Sequence, residues 1–212
     1  MKNLLLFVGA VIVGIMIMFG VQSLKVKNNP KLDAQFTKAS SFSSDKVPSD
    51  SLAGNIVTLS GEVAWQSREA TTPAKISSVR PIQQGEVLKT ATGSATVNFE
   101  NSAKLIISPN SEIEFAQTLP ANFVFVQNMG TIEYNRLGKI PLSVRVMHLL
   151  IEQDLGDIMV SLDKDKRTVT VDVNNGKITA VFNDLEYNSK LFHVSEGQKL
   201  IFDDKTREAE VE

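Results

Sequence analysis

Hydrophobic positions fall into two unlike patterns along this chain. From Leu4 to Val21 every residue is apolar or glycine, a run of 18 residues without a charge. From about Asn55 onward, apolar and polar residues alternate in short segments. A helix rises about 1.5 Å per residue, so the first run predicts a helix of roughly 27 Å, close to the ~30 Å hydrocarbon core of a bilayer. The alternation predicts strands, because successive strand side chains point to opposite faces and one face of each is buried. Val97 with Phe99, Ile113 with Phe115, Leu142 with Val144 and Val146, and Val169 with Val171 and Val173 each follow this period. Ala121–Val126 is apolar on both faces, which suits a central strand covered on both sides.

The first run, within residues 1–24, reads as a membrane anchor carried by Leu4, Phe7, Ile12, Ile17 and Val21. A cleavable signal peptide has an apolar region of about 7–15 residues and a small-residue cleavage site. Lys2 supplies the basic start, but the run is longer, and the only tolerable site is the weak Val21-Gln22-Ser23. The expectation is an uncleaved single-pass anchor. Lys25, Lys27 and Lys31 follow the span. Lysine bias governs loops up to about 60 residues, and longer domains translocate largely regardless of it. The β domain is therefore expected outside the cytoplasm, periplasmic or at the cell surface. Residues 25–54 read as a flexible tether, rich in Ser, Asp and Pro, with Phe36 and Phe42 as its aromatic exceptions.

Residues 55–202 are long enough for a real core, and 203–212 read as a charged tail. Turn chemistry separates the strands at Pro109-Asn110, Leu119-Pro120, Asn128-Met129-Gly130 and Asn174-Asn175-Gly176, the last expected as a tight hairpin. Gly61, Gly130 and Gly176 each open a similar turn–strand unit at unequal spacing. The expected fold is all-β: a stacked or solenoid-like antiparallel β domain after a single N-terminal transmembrane helix.

Composition narrows the chemistry. The net charge of −2 gives no basic footprint for nucleic acid. The chain has no cysteine, which excludes a thiol nucleophile, a thiolate metal site, a disulfide framework and a lipoprotein anchor. His148 and His193 lie far apart in strand-like stretches. Glu112 and Glu114 share a strand face, and a solvated face explains them better than paired-carboxylate chemistry. Asp163-Lys164-Asp165-Lys166 lacks the calcium-loop pattern and reads as a solvated tip. Trp65 follows Val63 at strand spacing and reads as half-buried. No catalytic, cofactor-binding or metal-ligating residue is assigned, and an enzyme is not expected.

The order of these turns and strands resembles the FecR domain. Gln84-Gly85-Glu86-Val87-Leu88-Lys89-Thr90, Gly93–Phe99, Ser102–Ile107 and Asn110–Phe115 are similar to its glycine–acidic turn, threonine and alternating strands. Asn128–Ile132 resembles the next glycine turn, Val171–Ile178 the V-x-V-x-x-G-x-V hairpin, and Val194–Leu200 the closing glycine–glutamine turn. On this resemblance Gly85, Thr90, Gly130, Gly176 and Gly197 are the motif turn residues. The G-T-x-F element would fall at Gly156-Asp157-Ile158-Met159, where threonine and phenylalanine are absent. The resemblance implies an extracytoplasmic β domain. The family's signalling members carry a cytoplasmic segment that controls a sigma factor, and only Met1-Lys2-Asn3 precede the span here. The expected function is thus a non-enzymatic binding or scaffold module for an envelope protein or glycan. The alternative is an accessory role in FecR-type transmembrane signal transduction.

Overall fold

A computed structural model describes residues 47–212, and every regular element among them is a strand. The anchor residues Leu4, Phe7, Ile12, Ile17 and Val21 and most of the tether lie outside the described residues. No helix among the described residues is long and apolar enough to cross a membrane. The strands are β1 (Gly54–Ser60), β2 (Val63–Gln66), β3 (Ala74–Ile76), β4 (Pro81–Ile82), β5 (Val87–Thr90), β6 (Ser94–Phe99), β7 (Ala103–Ile107) and β8 (Glu112–Leu119). They continue with β9 (Asn122–Arg136), β10 (Leu142–Val146), β11 (Leu149–Asp163), β12 (Thr168–Asn183), β13 (Ser189–Ser195), β14 (Lys199–Asp203) and β15 (Glu208–Val211).

All fifteen strands belong to one mostly antiparallel sheet, which folds over on itself into two layers. One layer runs β3, β2, β5, β8, the first half of β9, β10, the first half of β11, the second half of β12, and β13. The other runs β4, β1, β6, β7, the second halves of β9 and β11, the first half of β12, β14 and β15. Aromatic rings join the layers across the core. Phe99 of β6 lies 5.9, 5.0 and 5.8 Å from Phe115, Phe123 and Phe125. Phe182 of β12 lies 4.7 Å from Phe202 of β14.

Strands pass between layers at corners, as in other sandwiches whose strands switch sheets through bulges or bends. In the amino-terminal half the corners are Gly61, Gly93, Pro109-Asn110 and Gly130. They adjoin one another: the Asn110 N–H donates to the Ala91 carbonyl at 2.8 Å, and Ser111 Oγ donates to the Thr131 carbonyl at 3.1 Å. In the carboxy-terminal half the corners are Gln153–Gly156, Asn174–Gly176 and Gly197. These meet at the opposite end, since Gly156 pairs with Arg136 at the far end of β9 while Leu162 pairs with Gly130. The two halves join through β9, which pairs with β10 in one layer, the one parallel ladder among the described strands, and with β11 antiparallel in the other.

The long strands carry a matching slip in their alternation. Buried positions in β12 run Val169, Val171, Val173 and then Ile178, Ala180, Phe182. In β11 they run Leu149, Ile151, Gln153 and then Ile158, Val160, Leu162. The bend reverses which way the strand faces, and the one-residue slip restores the apolar side to the shared core. Two buried glutamines brace the corners. Gln127 Nε2 donates to the carbonyls of Gly130 (2.7 Å) and Val160 (3.0 Å), and Gln153 Nε2 to those of Tyr134 (3.0 Å) and Gly156 (2.7 Å).

Three expectations change. Asn174-Asn175-Gly176 is a corner inside one 16-residue strand, not a hairpin. The residues on both sides of it stay paired to β11, so the chain does not double back. Residues 203–212 are not a free tail, because β15 pairs with β14 through Leu200–Val211, Ile201–Glu210, Phe202–Ala209 and Asp203–Glu208. The last tether residues are fixed: the Leu52 N–H donates to the Thr118 carbonyl at 2.7 Å, and the Leu52 carbonyl accepts from Thr118 Oγ1 at 2.7 Å. β9 is the central strand, paired with β7, β8, β10 and β11. Its Phe123 and Phe125 are fully buried while Val124 on the other face is half-buried.

Candidate functional site

Four hairpin tips of the carboxy-terminal half gather at the end away from their corners. They are Met147-His148 (β10–β11), 164–167 (β11–β12), 184–188 (β12–β13) and 204–207 (β14–β15). Each tip closes through one left-handed residue: Met147 (φ 52), Arg167 (φ 59), Tyr187 (φ 64) and Arg207 (φ 56). Three are started by an aspartate whose carboxylate accepts from backbone N–H groups ahead of it, a local turn that short acidic side chains favour. Asp163 Oδ1 accepts from Lys166 (3.0 Å), Asp184 Oδ1 from Glu186 (2.9 Å) and Asn188 (2.8 Å), and Asp203 Oδ1 from Lys205 (2.7 Å) and Thr206 (3.2 Å).

Asp204 binds three of the tips together. It is 2% exposed. Its Oδ1 meets His148 Nδ1 at 2.7 Å, and its Oδ2 accepts from Arg167. Arg207 Nε approaches Oδ1 at 3.8 Å. One carboxylate therefore joins hairpins from both layers. Burial pushes its pKa up, but the hydrogen bonds from Arg167 and His148 outweigh this and hold it below the ordinary aspartate value.

Beside this cluster a groove of about 850 Å³ opens between β13 and β15. Phe182 and Phe192 form its apolar wall, their rings stacked at 5.8 Å and 11°. Asp184, Glu186, Asp203, Glu208 and Glu210 face two cations, Lys190 and Arg207, around it. Lys190 Nζ is already paired with Asp184 at 3.3 Å. Leu185, Tyr187 and Leu191 stand exposed nearby at 66%, 87% and 57%. The groove lies at the opposite end from Leu52, where the chain enters the domain.

The residues singled out from sequence do not converge on this site. Gly85 sits in the turn before β5 (φ 81), and Thr90 is buried at the end of β5. Thr90 Oγ1 donates to the Ser108 carbonyl at 2.6 Å and accepts from the Ser111 N–H at 2.9 Å. Thr90 thus braces the amino-terminal corners. Gly130, Gly176 and Gly197 are themselves corners (φ 79, 87 and 80). These positions are therefore architectural. Glu112 is engaged by Lys89 Nζ at 3.1 Å and Asn128 Nδ2 at 3.2 Å. Asp163 Oδ2 pairs with Lys166 Nζ at 3.2 Å. His148 bonds Asp204, whereas His193 Nδ1 meets Thr179 Oγ1 at 3.2 Å. Trp65 is half-buried, with the Arg80 guanidinium 3.5 Å from its ring centroid. Among the described residues no group of three or more His, Asp or Glu side chains is placed to hold a metal ion.

The folded two-layer sheet defines an all-β class that solved structures share. Two crystal structures described as a "putative anti-sigma factor" from Parabacteroides distasonis ATCC 8503 are similar in fold. One, at 2.50 Å resolution, has TM-score 0.50 and 12% identity, covering 58% of this chain and 57% of that one. The other, at 1.65 Å, has TM-score 0.51 and 11% identity, covering 59% and 58%. The match thus spans well under two thirds of those chains. No protein-family model and no curated protein matches the chain.

Proposed function

We propose that this chain is a membrane-anchored binding module whose FecR-like β domain stands outside the cytoplasm and engages an envelope protein or glycan through the groove, without chemistry of its own. Residues 1–24 serve as the anchor, and the tether runs from residue 25 to where Leu52 docks on the domain just before β1. The observation that carries the reading is the groove's position. An aromatic-walled cavity within the usual size range of ligand sites opens at the end of the domain away from where the chain enters. The apolar run Leu4–Val21 supports the anchor, and the order of the motif turns supports the extracytoplasmic placement.

A second reading, an accessory role in transmembrane signal transduction, is favoured by the fold shared with the structures described as a "putative anti-sigma factor". The two readings separate on partners. A signalling role requires that removing the protein change the output of a sigma factor, and a scaffold role does not.

Sidedness tests both. A phosphatase fused after Glu212 is expected to be active, since it folds only when exported, and a cytoplasm-dependent fluorescent reporter at the same position is expected to stay dark. A silent phosphatase with a bright fluorophore would place the domain inside and overturn the envelope reading.

A further inference from the structure

The groove is bounded by two sheet edges that have no strand beside them among the described residues. Among these, β13 pairs only with β12, and β15 pairs only with β14. The two edges differ in chemistry. β15 is four residues long and carries Glu208 and Glu210, neither of which forms an ion pair among the described residues. Short, charged edges are how sheets avoid adding foreign strands. β13 is seven residues long, and its only acid or base of fixed charge is Lys190. It presents Leu191 at 57% exposure, and no bulge interrupts its register with β12 from Lys177–Ser195 to Asn183–Ser189. A free edge of this length and composition offers a row of backbone donors and acceptors to an incoming strand.

Charge selects the occupant. The groove beneath β13 holds five carboxylates against two cations, and Lys190 is already taken by Asp184. An acidic segment would meet repulsion there, and a neutral one would leave Glu208 and Glu210 unmatched.

We propose that β13 accepts an extended, cationic peptide segment of a partner protein as an added strand, closing the side of the groove over Phe192. The proposal rests on the binding-module reading and names the partner chemistry. Backbone pairing to β13 supplies register, and lysine or arginine side chains supply selectivity against the acidic surround. Glycan occupancy is the competing outcome.

The test uses the full-length protein in a neutral detergent and labelled synthetic peptides of about eight residues, read by fluorescence anisotropy. A peptide alternating lysine with valine is expected to bind with Kd on the order of 10–100 μM and to weaken at least about tenfold when salt rises from about 50 to about 300 mM. Its glutamate–valine counterpart is expected not to bind. A lysine–valine peptide N-methylated at alternate backbone nitrogens is expected to bind about tenfold or more weakly, which needs no protein variant. The surface variant Glu186→Lys/Glu208→Lys/Glu210→Lys should reduce binding similarly while leaving the thermal midpoint within a few degrees. Equal binding of the methylated peptide, equal binding of the acidic peptide, or no binding of the cationic peptide overturns the proposal. Displacement of the lysine peptide by envelope glycan fragments that themselves bind more tightly would assign the groove to sugar. None of these results bears on sidedness, which the phosphatase reporter decides separately.

Discussion

Asp204 meets two arginines and a histidine, and its energetics follow from burial. A buried carboxylate must be hydrogen-bonded, and removing it leaves His148 and Arg167 without their shared acceptor and Arg207 without the nearby countercharge, though Arg207 Nε keeps its bond to the Asp204 carbonyl. Because His148 and Arg167 are about half exposed, the loss for Asp204→Ala is about 1–3 kcal/mol, below that of a fully buried pair. The pH dependence has a definite sign. Asp204 is held lower in the folded state than in the unfolded chain, so its contribution is complete above the unfolded value near 3.9 and disappears as pH falls through the folded value. Denaturant unfolding between pH 7 and pH 2 is expected to show a loss of stability below about pH 4, and Asp204→Asn should flatten that slope. A slope unchanged in the variant would mean that other carboxylates carry it.

A second contrast at this scale concerns Phe125 and Glu114. Phe125 is fully buried against Phe99, Phe115, Phe123 and Tyr134. Phe125→Asp is expected to unfold the domain, since an uncompensated carboxylate there costs several kcal/mol against a total of about 5–15. Glu114→Ala, on the half-wet face, should cost under about 0.5 kcal/mol. Comparable shifts in thermal midpoint from the two changes would refute the facing. This facing was legible in the sequence, because alternation alone assigns Ile113 and Phe115 to one side and both glutamates to the other. The Asp204 cluster was not, because it draws on residues 148, 167, 204 and 207, whose proximity exists only after three hairpins are in register.

At the level of elements, the corners explain why turn chemistry was recognised and its geometry misread. Asn174-Asn175-Gly176 has the residues that tolerate positive φ, which a hairpin and a corner both require. The distinguishing mark lay in the flanks, where Val169–Val173 and Ile178–Phe182 bury residues of opposite number. A hairpin would have returned the chain along itself, while the slip carries it to the other layer. Gly176 and Gly197 separate the two demands of such positions. A Cβ on Gly176 would lie 2.1 Å from the Leu155 carbonyl oxygen, whereas one on Gly197 meets nothing within 4 Å. Both have positive φ. Gly197→Ala should therefore cost about 1–2 kcal/mol from backbone strain alone, and Gly176→Ala should cost more by a further 1–3 or so. Chemical denaturation of the two variants gives the comparison, and equal costs would mean that the Leu155 strand yields freely.

For the molecule as a whole, the all-β class was readable from period two, and the two-layer closure was not. Local alternation states that each strand has a wet and a dry face but not which strands face one another. The charged composition of Asp203–Glu212 suggested a tail for the same reason: Ala209 is a weak apolar signal, and its value lies in its place opposite Phe202. The anchor, by contrast, is a purely linear feature. Full-length protein is expected to remain in the membrane fraction after alkaline carbonate washing, at its unprocessed mass. Release of a soluble form trimmed after Ser23 would instead identify residues 1–23 as a cleaved signal.

The slip at each corner also governs which changes of length the chain can survive. Along β11 and β12 every buried residue has a parity, odd before the bend and even after it, and β9 follows the same rule except at Val126. Deleting a single residue between Asn174 and Lys177 would leave the backbone able to bend but would turn Ile178, Ala180 and Phe182 outward together. An insertion of one residue does the same, and an insertion of two does not. Hairpin tips such as 184–188 carry no such constraint, since they can lengthen without changing the parity of either strand. Descendants of this sequence should therefore vary in length at the tips, where the groove's rim is made, and keep their count at the corners. The surface that meets partners is free to evolve while the sheet beneath it is held to an arithmetic rule.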